Sequence, residues 1–395
     1  MNRFFTVVSV IGWVILIEVG ASYPEPYRPA NDAQILQRLS IKASDPVARE
    51  FDSLRSDLRR NPRNLEGAVK LATRYIEQSR SDGDPRFIGQ AQATLTPWWN
   101  EPTPPAPILL VRATIRQTAH EFNEALADLD KVLAVQPTTA QAWLTKASIL
   151  QVQARYDEAR RACQRLTRIA ARHIAQACLA DIEGLTGHAA KSHELLTASL
   201  VQSTASKRER IWILTILSEL AARVRDTRAA EQSYTDALKI GVKDQYLLAS
   251  YADFLLDQGR YREVVSLLEH ETKADGLLLR LTLAEQALQL PSATPHSVEL
   301  RARFTASRER GTRVHLREEA RFTLALLHDP QTALDLARIN WAVQKEPWDA
   351  RLLLESALAA GDVGAAKPAV EWLTTYHVED HHLQDLAGQV RKRSS

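Results

Sequence analysis

One spacing constrains this chain more than any other property. Residues 122 to 137 read FNEALADLDKVLAVQP, and 34 positions on, residues 156 to 171 read YDEARRACQRLTRIAA. Setting Phe122 on Tyr156 also sets Ala125 on Ala159, Leu109 on Trp143 and Ala113 on Ala147. Such a register describes a recurring unit. A unit this short cannot bury its own apolar face, so it is stable only when stacked on copies of itself. The frame continues through Gly187 and Ser192 with a slip of one residue, then Thr227 and Ala230, then Gly259, Tyr261 and Val264. Composition points to helix throughout: Leu, Ala, Arg and Glu dominate, Gly is held to 14 of 395 residues, and alternating strand patterns are scarce.

The segments AWLTKASILQVQARYDEARRAC and YLLASYADFLLDQGRYREVVSLLE resemble the tetratricopeptide repeat, a helix, a turn and a second helix with small residues where the two touch. The resemblance implies an all-α, right-handed solenoid. Ala113, Ala147 and Ala252 then belong to first helices and Ala125, Ala159 and Ala230 to second helices, where a large side chain would push the pair apart. Phe122, Tyr156 and Tyr261 open second helices, and Pro62, Pro97, Pro137 and Pro347 stand where second helices stop. Helix pairs are expected at 64–96, 107–136, 139–171, 173–202, 207–240 and 244–271, and less regularly at 275–310, 312–345 and 348–376, with a terminal helix near 379–393. The chain thus divides into regular repeats over 45–271 and degenerate repeats with a capping helix over 272–395. PWWNEPTPPAP, residues 97–107, reads as a stiff surface loop whose tryptophans cap a core.

The N-terminus differs from everything after it. MNRFFTVVSVIGWVILIEVGA carries Arg3 and then an unbroken apolar run from Phe4 to Ile17. That run of about 14 residues is shorter than the roughly 20 a spanning helix needs, and small residues precede Ser22. Residues 1–21 read as a cleaved secretory signal or as an uncleaved N-terminal membrane anchor, followed by a Pro-rich tether over 22–44. Either reading sends the chain to the periplasm or cell envelope, with membrane contact only through this segment.

With 50 basic and 48 acidic residues, the chain exerts no global pull on nucleic acid. The Arg-rich run RARFTASRERGTRVHLREEAR, residues 301–321, has Glu interleaved at helical pairing distances and reads as the solvated outer face of two helices. Phosphate loops of Walker or Rossmann spacing, a nucleophile elbow, CxxC and HExxH are all missing from the sequence. A non-catalytic scaffold without a cofactor is therefore expected, with a protein or peptide as partner.

In the family the chain resembles, an extended peptide lies in the groove formed by successive first helices. Carried onto this sequence, the groove residues are Thr114, Gln117, Ser148, Gln151, Trp212, Thr215, Glu219, Arg223, Tyr246, Asp253 and Asp257. The amide-rich first half suits hydrogen bonding to backbone or sugar, and the acidic second half suits a basic segment. The alternative function is metal handling. YHVEDHHLQD sets His377, His381 and Asp385 at i, i+4 steps, so one helix would align them as ligands; the same residues also suit a polar capping helix. Cys163 and Cys178 flank a turn centred near Ala170 and Ala171 and sit at equal height on antiparallel neighbours. Axes about 8 to 10 Å apart leave such Cα atoms roughly 4 to 6 Å apart, within disulfide range. The pair is either that bridge or two separate buried thiols.

Overall fold

The computed structural model describes residues 30, 31, 34, 45–311 and 314–394; the expected export segment and nearly all of the tether lie outside them. Among the described residues there are helices and no strands. A lone helix, α1 (Pro46–Arg60), leads into nine helix pairs. The first is α2 (Leu65–Asp82) with α3 (Arg86–Thr94), followed by the single turn α4 (Thr96–Trp99). Then come α5 (Ala106–Thr118) with α6 (Phe122–Val135), α7 (Ala140–Val152) with α8 (Tyr156–Leu166), and α9 (Arg172–Gly184) with α10 (Ala189–Val201). The fifth and sixth are α11 (Lys207–Arg223) with α12 (Thr227–Lys239) and α13 (Gln245–Asp257) with α14 (Tyr261–Leu268). The last three are α15 (Asp275–Ala287) with α16 (Ala293–Glu309), α17 (Leu316–Ala325) with α18 (Pro330–Val343), and α19 (Pro347–Ala360) with α20 (Lys367–Thr375). Helix α21 (His381–Ser394) caps the array. In the proline-rich stretch Trp98 is buried, whereas Trp99 stacks beneath Arg112 and Arg116 at 5.9 and 5.8 Å.

Every pair turns in the same way. Gly83, His120, Ala154, Gly187, Arg225, Gly259, Gln289, His328 and Gly361 occupy the left-handed region, with φ between 54° and 84°. In most of these turns the next N–H reaches back to close the first helix: Glu121 to Arg116 O, Arg155 to Leu150 O, Asp226 to Ala221 O and Arg260 to Leu255 O, at 2.8 to 2.9 Å. A left-handed residue after the last helical turn satisfies carbonyls that would otherwise be orphaned.

The small residues lie between helices as expected: Ala113, Ala125, Ala159, Ala230 and Ala252 are fully buried and Ala147 is 1% exposed. Gly184 is tighter still, since a Cβ there would come 2.1 Å from Leu220 Cδ2 across the α9–α11 contact. Replacing Ala147 or Ala252 by Leu is expected to cost roughly 1 to 3 kcal/mol through overpacking, read as a shift in urea midpoint; no shift at either site would contradict the contact.

The solenoid closes on itself. Gln245 Nε2 at the start of α13 donates to Ser81 O in α2 at 3.3 Å, and Gly83 packs against Ala274. The last two pairs lie on the turns of the third to fifth. Trp372 Nε1 donates to Tyr156 OH at 3.0 Å, Tyr376 meets Tyr156 edge-on at 4.6 Å, and Lys345 N donates to Val152 O at 2.7 Å. Ala189 N donates to Glu379 at 2.7 Å, and Arg225 pairs with Asp385 at 2.8 Å. One continuous apolar core accordingly joins residues of α5 to α9 with residues of α17 to α21.

Candidate functional site

Closure turns the expected groove into a cavity of about 1800 Å³. The first helices of successive pairs supply one wall, and α17, α19 and the approach to α21 supply the facing one. Of the eleven groove residues carried over from the resemblance, Gln117, Ser148, Gln151, Trp212, Thr215, Glu219, Arg223, Tyr246, Asp253 and Asp257 line this cavity. Thr114 does not. Its hydroxyl donates to Leu110 O one turn back at 3.1 Å.

The wall is cross-linked from helix to helix. Gln117 Nε2 donates to Ser148 Oγ at 3.2 Å and Gln151 Nε2 to Asp181 Oδ2 at 3.0 Å. Tyr246 OH and Ser250 Oγ both donate to Glu219 Oε1, at 2.9 and 2.8 Å. Arg280 Nη2 donates to Asp253 Oδ2 at 2.6 Å. Asp181, Ser250 and Arg280 were not singled out in the sequence, although each sits a repeat length or less from a residue that was.

The acidic half of the wall already holds a basic segment, and it is this chain's own. Arg321 Nη1 donates to Asp253 Oδ1 at 2.6 Å, and Arg351 Nη1 to Asp257 Oδ2 at 2.9 Å. Both guanidinium groups lie over the Trp348 ring, each 4.2 Å from its centroid. Arg317 is bound by Asp349 and Glu346. The Arg-rich run is therefore not simply a solvated outer face: its Arg317 and Arg321 side chains are 21% and 12% exposed, held by Asp349 and Glu346 and by Asp253.

The His/Asp cluster is corrected. No helix runs from 377 to 385, since α20 stops at Thr375 and His377 is left-handed with φ 53°. Val378 N closes that end on Leu373 O, and Asp380 caps the new helix by accepting from Leu383 N, both at 3.1 Å. His377 packs on the Gly187 turn, His381 Nδ1 lies 3.1 Å from Arg223 O, and Asp385 is paired with Arg225. Among the described residues no group of three His, Cys, Asp or Glu is placed to hold a metal ion. Cys163 on α8 and Cys178 on α9 are joined by a disulfide, their Cα atoms 5.6 Å apart.

The charge in the cavity is strongly perturbed at one point. Burial pushes the Glu219 carboxyl up to about 7, with Arg223 opposing and Asp181 adding to the rise. Burial likewise raises Asp181. At Asp253 burial also raises, but Arg280 and Arg321 outweigh it and hold the group below its ordinary value. Because Glu219 binds its proton more tightly in the fold than in the open chain, its stabilising share is complete below pH 4.5 and is lost as pH rises through about 7. Glu219→Gln is therefore expected to match the wild type near pH 4.5 and to exceed it at pH 8 by up to about 3 kcal/mol. Urea unfolding at the two pH values measures this; a difference independent of pH would refute it.

No protein-family model and no curated protein matches the sequence. Solved structures are matched at low overall similarity. The chain is similar to the Cut9–Hcn1 hetero-tetramer of the APC/C at 13% identity and TM-score 0.40, over 87% of this chain and 52% of that one. It is similar to a tetratricopeptide repeat protein from Parabacteroides merdae at 14% and 0.39, over 64% and 91%, and to Naa15/Naa10 bound to HypK-THB at 14% and 0.25, over 88% and 64%. It spans about half the length of the first. Its own helix pairs, repeated turn and buried small residues make it an all-α, tetratricopeptide-like repeat protein.

Proposed function

We propose that the chain is an exported, non-catalytic scaffold that holds an extended segment of another envelope protein within its cavity. The observation that carries this reading is the convergence of ten first-helix side chains on one space large enough for several residues of extended chain. Its surface mixes amide, hydroxyl and carboxyl groups with Trp212 and Tyr246, the latter 61% exposed and directed into the space. Such surfaces bind main chain through hydrogen bonds and anchor it on aromatic rings. Export is supported by the apolar run at residues 4–17 and by the Cys163–Cys178 bridge, of a kind that is favoured in oxidising compartments and rare in reducing ones. The test is crosslinking and capture from the native envelope, comparing wild type with Trp212→Ala/Tyr246→Ala at unchanged helicity. Capture of the same partner by the double variant would refute binding in the cavity.

A further inference from the structure

The carboxylates facing the cavity are not used alike. Asp253, Asp257, Asp275 and Glu346 each hold a guanidinium from elsewhere in the chain. Asp181 and Glu219 do not. Asp181 accepts from Gln151, Glu219 accepts from Tyr246 and Ser250 through Oε1, and the nearest cation, Arg223 Nη2, stands 3.9 Å from Glu219 Oε2. Arg223 lines the cavity with a side chain 10% exposed, and its Nη1 is buried beside Gly184 without a hydrogen-bond partner. The Tyr246 ring is exposed beside this group, and Trp212 stands two turns before Glu219 on the same helix face.

We infer that this end of the cavity receives one cationic side chain, arginine or lysine, from the extended segment. The inference rests on the scaffold reading and adds to it the chemistry of the residue that is recognised. The chain shows the same chemistry one step along the wall, where Asp257 and the face of Trp348 together hold Arg351. A cation brought to an enclosed carboxylate beside an aromatic face is bound by charge, hydrogen bonding and the ring quadrupole at once.

Its arrival also changes protonation. Glu219 is faced by Asp181 from α9, Arg223 from its own helix, Tyr234 from α12 and Tyr246 from α13, while the charges of Glu346 and Asp380 act on Tyr246 and Arg223. Acidic neighbours outnumber the single arginine. A bound cation therefore favours ionised Glu219, and binding at pH 7 releases protons to the buffer.

The experiment is calorimetric titration of the full chain with a blocked pentapeptide, Gly-Ser-Arg-Ser-Gly, and with its citrulline counterpart, which keeps the shape and loses the charge. The wild type is expected to favour the arginine peptide by ~tenfold or more, with an enthalpy that differs between buffers of unlike ionisation heat. Glu219→Gln, which preserves an acceptor for Tyr246 and Ser250, removes both the preference and the buffer dependence; Glu371→Gln, at an exposed carboxylate, changes neither. Equal binding of the two peptides, no binding of the arginine peptide, or a preference that survives Glu219→Gln overturns the inference. An envelope partner whose capture depends on Trp212 and Tyr246 but is indifferent to Glu219→Gln leaves the scaffold reading standing and removes the cation site alone.

Discussion

Asp253→Ala is expected to lower the stability of the chain by about 3 to 5 kcal/mol, the scale of breaking a buried charge network from one side. Asp253 is 4% exposed, and its two oxygens accept from Arg280 and Arg321, both at 2.6 Å. Removing the carboxylate leaves two guanidinium groups in the interior with their principal counter-charge gone. The damage extends beyond α13, because Arg321 also positions Trp348, and Trp348 positions Arg351 on Asp257. Removing only the outer pair with Asp257→Ala should cost far less, since that carboxylate is 33% exposed and Arg351 retains Glu355. Urea unfolding followed by circular dichroism measures both. Equal losses for the two variants would mean that burial does not set the cost, and a loss below about 1 kcal/mol at Asp253 would place it among surface pairs.

Removing the disulfide should be the second large effect. Cys163 and Cys178 are 15 residues apart in sequence, and opening a loop of that size releases chain entropy worth about 3 kcal/mol to the unfolded state. Cys163→Ala/Cys178→Ala, or reduction of the wild type, should lower stability by that amount, and reductant should leave the double variant unchanged. A thiol count on denatured protein, purified from the periplasm without reductant, is expected to find none. Two free thiols per chain would remove the bridge and with it the support it gives to export.

The helix pairs were legible because the 34-residue register fixes where small and aromatic residues fall, and those positions depend only on contact within a pair. The turns were legible in part. Gly187 and Gly259 announce a left-handed residue, but His120, Ala154 and Arg225 adopt the same conformation with no glycine to mark it. The terminal helix was legible from about 379, and Asp380, three residues before Leu383, is its cap; aligning His377 with His381 required a helix that begins before that cap. Groove residues could be placed because first helices share one face. What occupies the acidic half could not, because Asp253 and Arg321 are 68 positions apart and Asp257 and Arg351 are 94 apart, and neither pair leaves a local pattern.

The hydrogen bond from Trp372 to Tyr156 spans 216 residues, and it alters how such a protein comes into being. An open solenoid is a row of neighbours in which each unit is complete once the next has been added. Here the third unit waits for the ninth, and one side of the cavity is made by helices that leave the ribosome well after the other. A nascent chain halted after α16 would carry the acidic wall without the arginines that face it, and so would possess repeats but no cavity. Folding of the first units and assembly of the cavity are separate events in time, and the second awaits synthesis of α17 to α21.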